Sequence, residues 1–406
     1  MPVIALFSGT HCHGEEVARK VAESLGYKLF DDQALMVETG KRFQLDEGKL
    51  ERAIFGKPSI FNKFTHEKER AVACLKNVLA NRMQDDQQLV LGYSSHLIPR
   101  GIAHVLKVGI IADMKYRVGQ LMEKQGGSEK DALKKLHRDD ECLATWIDYC
   151  FSAKDPWAPD FYDMIIPMDK SNLPNAVGLI CDNARKEVLK VSEASMRAVE
   201  DFRLATQVEL ALAKEGHQVG VIAREAVVTL TINKHVLKLA ALETDLKKIA
   251  GGIAGVKEVE TKVGPGYYQT DIYRKFDFDV PSKVLLVDDE REFIHMLSDR
   301  LEMRELGAAV VYDGEQALAA VHEDEPEVMV LDLKMPGIDG IEVLRRVKTE
   351  HPNVEVIVLT GHGSEEIRKH CMELGACAYL EKPVDIETLT KTMKEAYRKA
   401  QQKKAT

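Results

Sequence analysis

The residues best suited to chemistry gather in the last third of the chain. Asp288 and Asp289 close the apolar run KVLLVDD, Asp332 closes VMVLDL, Thr360 closes VEVIVLTG, and Lys382, followed by Pro383, closes AYLEKP. If each run is a buried strand of one parallel sheet, all five residues arrive at its carboxyl edge, where such sheets hold their ligands. Three crowded carboxylates repel one another and call for a cation, and an all-oxygen donor set suits Mg2+. One Asp can then accept a phosphoryl group whose oxygens are neutralised by the metal and by Lys382, while the Thr360 hydroxyl answers the new charge. A single Asp after a strand is most often a helix N-cap. Five polar side chains at four strand ends of one sheet are more than capping requires.

A second stretch with phosphate chemistry in view is GTHCHGEE, residues 9 to 16, which follows the apolar run VIALF. Two glycines with four residues between them outline a loop whose backbone N–H groups meet an anion at a helix N-terminus. A loop that transfers phosphate continues with Lys and then Ser or Thr, whereas Glu15 and Glu16 stand here. Their charge opposes an anion at that helix end. His11 and His13 are mostly neutral at pH 7 at the ordinary histidine value. If a phosphate-bearing ligand binds, the expected contacts are the backbone N–H groups of Gly9, Thr10 and Gly14, with Asp31 or Asp32 nearby and Arg117 and Arg138 in reach of phosphate. Binding without turnover is the expectation.

These residues need a framework, and the chain is long enough for two or three domains at about 150 residues each. From 283 to about 400, five short apolar runs alternate with helix-like stretches such as EFIHMLSDRLEMREL, which predicts a doubly wound five-stranded parallel sheet. Residues 1–190 also begin strand, loop, helix, with further strands expected at 88–93, 105–112 and 163–169, so this block is a second α/β sheet. Between them, a helix over about 184–215 leads into GVIAREAVVTLTI, VLKLAALETDLKKIAGGI and VKEVETKVGPG, read as strand, helix, strand in a small α+β module over 200–275. A polar strand-like stretch then runs to Pro281.

With 45% hydrophobic and 30% charged residues among 406, the composition is that of a folded globular chain. The net charge of −9 speaks against nucleic-acid binding as the main task. Seven dispersed cysteines without a C-x-x-C pair argue against a disulfide frame or zinc site. No run reaches the roughly 18 to 20 apolar residues of a membrane span. No export leader precedes VIALFSG, so the cytoplasm is the expected compartment.

LLVDDE, VLDLKMPGIDG, VIVLTGHG and AYLEKPVD resemble the receiver domain of two-component response regulators. The resemblance implies Asp332 as phosphoacceptor, Asp288 and Asp289 as the acidic pair, and the backbone carbonyl of Lys334 as a further Mg2+ contact. It also implies Thr360 and Lys382 as switch residues, Tyr379 as an aromatic switch, and a cis peptide at Lys382-Pro383. A sensor histidine kinase or phosphotransfer protein would be the upstream partner, with a downstream protein target and a homodimer as one allowed assembly. No helix-turn-helix or other DNA-reading pattern is seen, so no DNA contact is expected.

The start of the chain, with RVGQLMEKQGGSEKDALKKLHRDDE as a lid and DPWAPDFYDMIIPMDKSNL as a final strand, resembles cytidylate-kinase-like proteins over 1–190. That resemblance leaves an active, receiver-regulated cytidylate-type kinase as the alternative, but the lid segment DDECLATWIDYC carries no arginine where phosphoryl transfer uses several. The middle module resembles a BON domain, which implies a binding or signal-relaying platform.

Overall fold

The computed structural model describes residues 2–56, 58–85, 87–236, 238–268, 280–304, 306–361 and 363–404. They fall into two compact units, one of Met1–Lys57 with Lys68–Tyr273 and one of Pro58–Glu67 with Arg274–Thr406.

The first unit opens with β1 (Val3–Ser8), α1 (Gly14–Leu25), β2 (Lys28–Asp31), α2 (Asp32–Phe43) and α3 (Glu47–Phe55). The chain then passes through α4 (Asn62–Thr65), which belongs to the second unit, and returns along α5 (Glu67–Arg82). There follow β3 (Gln88–Leu91), β4 (Val105–Ile111), α6 (Met114–Gln125), α7 (Glu129–Phe151), β5 (Met164–Pro167) and α8 (Leu173–Ala184). The five strands pair in parallel in the order β2-β3-β1-β4-β5. The central strand β1 is an unbroken apolar run because helices cover both of its faces. Val3, Ala5 and Phe7 enter one core, and Ile4 and Leu6 the other.

Helix α9 (Glu193–Lys214) begins later than its periodicity suggests, because Ser192 and Ser195 close a reciprocal cap that fixes its first turn. It serves two cores. Val199 and Phe202 pack with the large sheet, while Leu204, Ala205, Val208 and Leu212 pack with the small module. The buried amide of Asn77 on α5 donates to the Thr206 hydroxyl at 3.1 Å and fixes the two helices in register.

The small module differs from the strand, helix, strand expected of it. GVIAREAVVTLTI folds as an antiparallel hairpin of β6 (Gly220–Arg224) and β7 (Val227–Ile232), followed by α10 (Leu239–Gly251) and then β8 (Glu258–Val263), parallel to β7. The turn is made by Glu225 and Ala226 at φ 50° and 65°, without the Gly or Asn that normally marks it. Its cause is distant in sequence: both Asp201 carboxylate oxygens accept the turn's N–H groups, from Glu225 at 2.7 Å and Ala226 at 2.9 Å. Residues 269–275 of the module and the polar stretch before Pro281 lie outside the described residues up to 279.

The second unit contains β9 (Val284–Val287), α11 (Arg291–Glu302), β10 (Ala308–Val311), α12 (Gly314–Glu323), β11 (Val328–Leu331), α13 (Gly340–Glu350), β12 (Glu355–Thr360), α14 (Glu365–Glu373), β13 (Ala378–Glu381) and α15 (Ile386–Lys404). All strands are parallel in the order β10-β9-β11-β12-β13. Asp313, Asp339 and Ser364 cap α12, α13 and α14 through their own side chains, which leaves the five chemistry-bearing residues free of that duty. Among the described residues no helix is long and apolar enough to cross a membrane.

Replacing Asp201 by Ala removes the acceptor of two N–H groups that hold a left-handed turn. The expected cost is about 1–2 kcal/mol, read as a lower urea midpoint for the full chain; an unchanged midpoint would show that the turn holds itself.

Candidate functional site

The sheet of the second unit delivers the five residues as its topology requires. β9 ends at Val287 and β11 at Leu331, and these two residues are paired across the ladder, so Asp288 and Asp332 leave the sheet side by side. The Asp332 N–H donates to the Val287 carbonyl at 3.0 Å and ties the two strand ends together. One carboxylate oxygen from each of Asp288, Asp289 and Asp332 lies within 4.8 Å of the others. Asp288 and Asp332 are buried and Asp289 is exposed, so the cluster opens to solvent on one side.

Lys382 answers this charge. Its Nζ lies 2.6 Å from Asp288 Oδ2, 3.5 Å from Asp332 Oδ2 and 3.3 Å from Glu290 Oε1, and 4.5 Å from the centre of the Phe293 ring. Burial alone would lower the Lys382 ammonium, but Asp288, Asp332 and Glu290 outweigh it and raise it above its ordinary value. Burial pushes the Asp288 carboxyl up, and Lys382 pulls against it. Glu290 and Phe293 were not singled out by the motifs, although LLVDDE contains Glu290 directly after the acidic pair.

Thr360 is fully buried at the end of β12 and pairs with Glu381 of β13; its carbonyl accepts the Lys382 N–H at 2.9 Å. The Lys382-Pro383 bond is cis, as expected. Tyr379 lies inward: its hydroxyl is buried without a hydrogen-bond partner, burial pushes its phenol up, and a Cβ at Gly363 would overlap that hydroxyl. Lys334 is exposed two residues past Asp332, in the loop that returns when the Gly340 N–H donates to the Leu333 carbonyl. The side chains of Asp288, Asp289, Asp332 and Lys382 thus meet at one edge, while Thr360 and Tyr379 lie on the neighbouring strands and Lys334 on the loop after Asp332. Three carboxylates in this spacing fit a hard divalent cation, and no soft donor is among them.

The loop of the first unit opens onto a cavity of about 1020 Å³ lined in part by Gly9, Thr10, Gly14, Asp31 and Asp32, with Phe7, Phe55 and Tyr93 as aromatic wall. Its charged lining is acidic on balance, with Glu15, Glu16, Asp31, Asp32 and Glu123 against Arg19 and Lys124. Several groups expected to meet a phosphate are already engaged. The Gly9 N–H donates to the Ile110 carbonyl at 2.9 Å. Arg117, expected in reach of phosphate, is buried and already engaged: it donates to the Thr10 carbonyl and hydroxyl at 3.0 and 2.8 Å and forms a two-pronged pair with Asp140 at 3.0 and 2.7 Å. Arg138 is exposed on α7 and does not line this cavity.

Gly14 has a packing role, because a Cβ there would overlap the Ser8 side chain where α1 leaves β1. His13 sits in the left-handed region at the start of α1, 3.4 Å from Glu16. Burial lowers the His11 imidazole further, which keeps it neutral. Asp31 caps α2. Asp32 accepts the Tyr93 and Ser94 N–H groups at 2.8 and 2.9 Å, and burial pushes its carboxyl up to about 6.

Comparison with known proteins places these two sites on separate families. Residues 284–394 match the response regulator receiver domain, and residues 3–170 match the cytidylate kinase-like family. The sporulation initiation phosphotransferase F of Bacillus subtilis (strain 168) is 34% identical over 113 residues, 28% of this chain and 91% of that protein. The transcriptional regulatory protein CpxR of Klebsiella pneumoniae is 39% identical over 119 residues, 29% of this chain and 50% of that protein. The chain spans only 26% to 50% of the length of three transcriptional regulatory proteins among its relatives. Among solved structures, the receiver domain of the Francisella response regulator 1452 is 30% identical, with a TM-score of 0.28, and aligns with 29% of this chain and 97% of its own.

Asp32 supplies a pH test of the cavity wall. Its folded value of about 6 lies above its ordinary 3.8, so the folded chain holds a proton between those limits that the unfolded chain has released. Stability contributed at this position is full below pH 4 and falls until pH 6, after which the loss is constant. Asp32→Asn removes the ionisation. Its melting temperature relative to the parent should climb from pH 4 to 6 and level off above; a constant difference would contradict the account.

Proposed function

Through residues 284–394 the chain belongs to the response regulator receiver family, and from that premise we propose that Asp332 accepts a phosphoryl group and passes its state to the first unit. The observation that carries the proposal is the position of Lys382 Nζ, against Asp288 and 3.5 Å from Asp332 Oδ2, beside three clustered carboxylates. An Asp332 carboxylate oxygen attacks the phosphorus of a phosphohistidine or acyl phosphate donor. The donor's P–N or P–O bond breaks, the leaving group takes the electron pair, and an aspartyl phosphate forms. Water later cleaves it to inorganic phosphate and restores the carboxylate.

Asp288, Asp289, Asp332 and the Lys334 carbonyl are the proposed holders of Mg2+, which when bound would offset the phosphoryl oxygens' charge. Lys382 supplies fixed positive charge to the same oxygens, and its present bond to Asp288 keeps it poised at the edge. The buried Thr360 hydroxyl and Tyr379 are the proposed reporters of the new charge, the aromatic ring following the hydroxyl as the family does.

Receiver domains take their phosphoryl groups from histidine kinases or phosphotransfer proteins, and such a protein is the proposed upstream partner. The relatives named as transcriptional regulatory proteins align with only 28–29% of this chain. Their output is therefore not carried over, and the proposed target is a protein reached through the first unit, in the cytoplasm where the donors are.

For the first unit the proposal is a nucleotide-binding sensor or effector without turnover. Arg117 spends its guanidinium on Thr10 and Asp140, and Glu15 and Glu16 replace the residues that would neutralise a transferring phosphate. The BON-like module, fixed to the same unit by α9, is proposed as its interaction platform.

Incubating the full chain with acetyl phosphate and Mg2+ should add one phosphoryl group by intact mass. Asp332→Asn should abolish it, and Lys382→Ala should reduce its rate on the order of 100-fold. Labelling that survives Asp332→Asn would overturn the assignment. In parallel, ATP and CMP should produce binding heat with the full chain and no CDP; CDP formation would restore the kinase reading.

A further inference from the structure

The first unit is interrupted by residues 58–67, which are part of the second. Phe61 of this arm has no exposed surface and belongs to the receiver's own core, together with Leu285 and Val287 of β9, Ala309 and Val311 of β10 and Ala317 of α12. Phe64 packs on the same cluster, and a Cβ at Gly307, just before β10, would overlap its ring, so glycine there leaves the space that the ring fills. The polar contacts are as specific. The Ser59 hydroxyl donates to Asp324 Oδ2 at 2.6 Å, and the buried Lys283 Nζ lies 2.7 Å from Asp324 Oδ1 and 2.8 Å from Glu67 Oε2. Two anchoring rings and a three-member ionic group at the arm's ends are more than a passing loop requires.

We propose that this is the receiver's output surface, and that its partner is the chain's own Ser59-x-Phe61-x-x-Phe64 arm, whose seating depends on the phosphorylation state of Asp332. The inference rests on the receiver reading above. Its physical basis is that Leu331 and Leu333, the two neighbours of Asp332, share one packed cluster with Phe61, and that Tyr379 packs against the same cluster. A close-packed cluster cannot shift at one wall without moving the side chains that fill it. β9 adds a second link, because Lys283 precedes it and Asp288 follows it. The arm is also continuous with the first unit at both ends. It follows α3, whose Phe55 lines the cavity, and it runs into α5, whose Val72, Leu75 and Leu79 lie in the core of the large sheet. A change in seating therefore reaches the cavity wall along the chain itself.

The test is hydrogen exchange of the full chain in Mg2+, with and without beryllofluoride, which mimics a phosphoryl group on an aspartate. The expected result is a several-fold change in exchange for 58–67, together with a change around Asp332 and Thr360. A response around Asp332 with the arm unchanged would overturn the output surface while leaving the receiver reading intact. No response in either place would overturn both. Binding free energies are reciprocal, so Phe64→Ala should shift the half-saturating beryllofluoride concentration by roughly 5-fold or more. Ser59→Ala, which leaves both rings in place, should shift it in the same direction; unchanged affinity in both variants would refute the coupling.

Discussion

Like charges brought together at the end of a sheet are the constraint on which the second unit turns. Parallel pairing of β9 with β11 sets Asp288 beside Asp332, and their carboxylates share one edge with Asp289. Such a cluster is unfavourable unless positive charge is supplied, and within the chain only Lys382 supplies it there among the described contacts. The rest of the edge serves that compensation: the β12–β13 pairing sets Lys382 beside Thr360, and the Phe293 ring lies against the ammonium. An edge that holds excess negative charge on a rigid frame is suited to take up a cation and then a phosphoryl group, because either event rearranges charge more than backbone.

The first unit meets the same problem with the opposite result. Its loop has the shape of a phosphate cradle, yet the Gly9 N–H, the Thr10 carbonyl and hydroxyl, and the Arg117 guanidinium all satisfy one another or Ile110 and Asp140. Asp140 occupies the arginine as a phosphate would. The frame, by contrast, is fully kept, with a buried β1, a Gly14 that lets α1 approach Ser8, and an aromatic-walled cavity. Fold and charge have separated here, which is why a match to the cytidylate kinase-like family over residues 3–170 carries the architecture further than the reaction.

Legibility in the sequence followed the range of the interaction involved. The acidic cluster and its lysine were readable because Asp288, Asp289, Asp332 and Lys382 stand at or just past the ends of short apolar runs, a local signal. The large strands of the first unit were readable for the same reason. What escaped was set by partners far along the chain. The β6–β7 turn has no local turn residue because Asp201 makes it, and Arg117 read as a phosphate contact because its partner Asp140 lies on the next helix. The segment around Phe61 carries no periodic pattern, and its role is visible only once Asp324, Lys283 and Gly307 stand around it. Five carboxyl-end residues can be counted in a string of letters, but which arginine is already occupied cannot.

The central claim, that the carboxylate edge is built to take a divalent cation, is tested most directly by calorimetric titration of Mg2+ into the full chain and into Asp288→Asn. The account predicts one saturable site in the parent and an affinity at least about tenfold weaker in the variant, since one of three close charges is lost. Equal affinity in the two proteins, or no saturable binding in the parent, would contradict it.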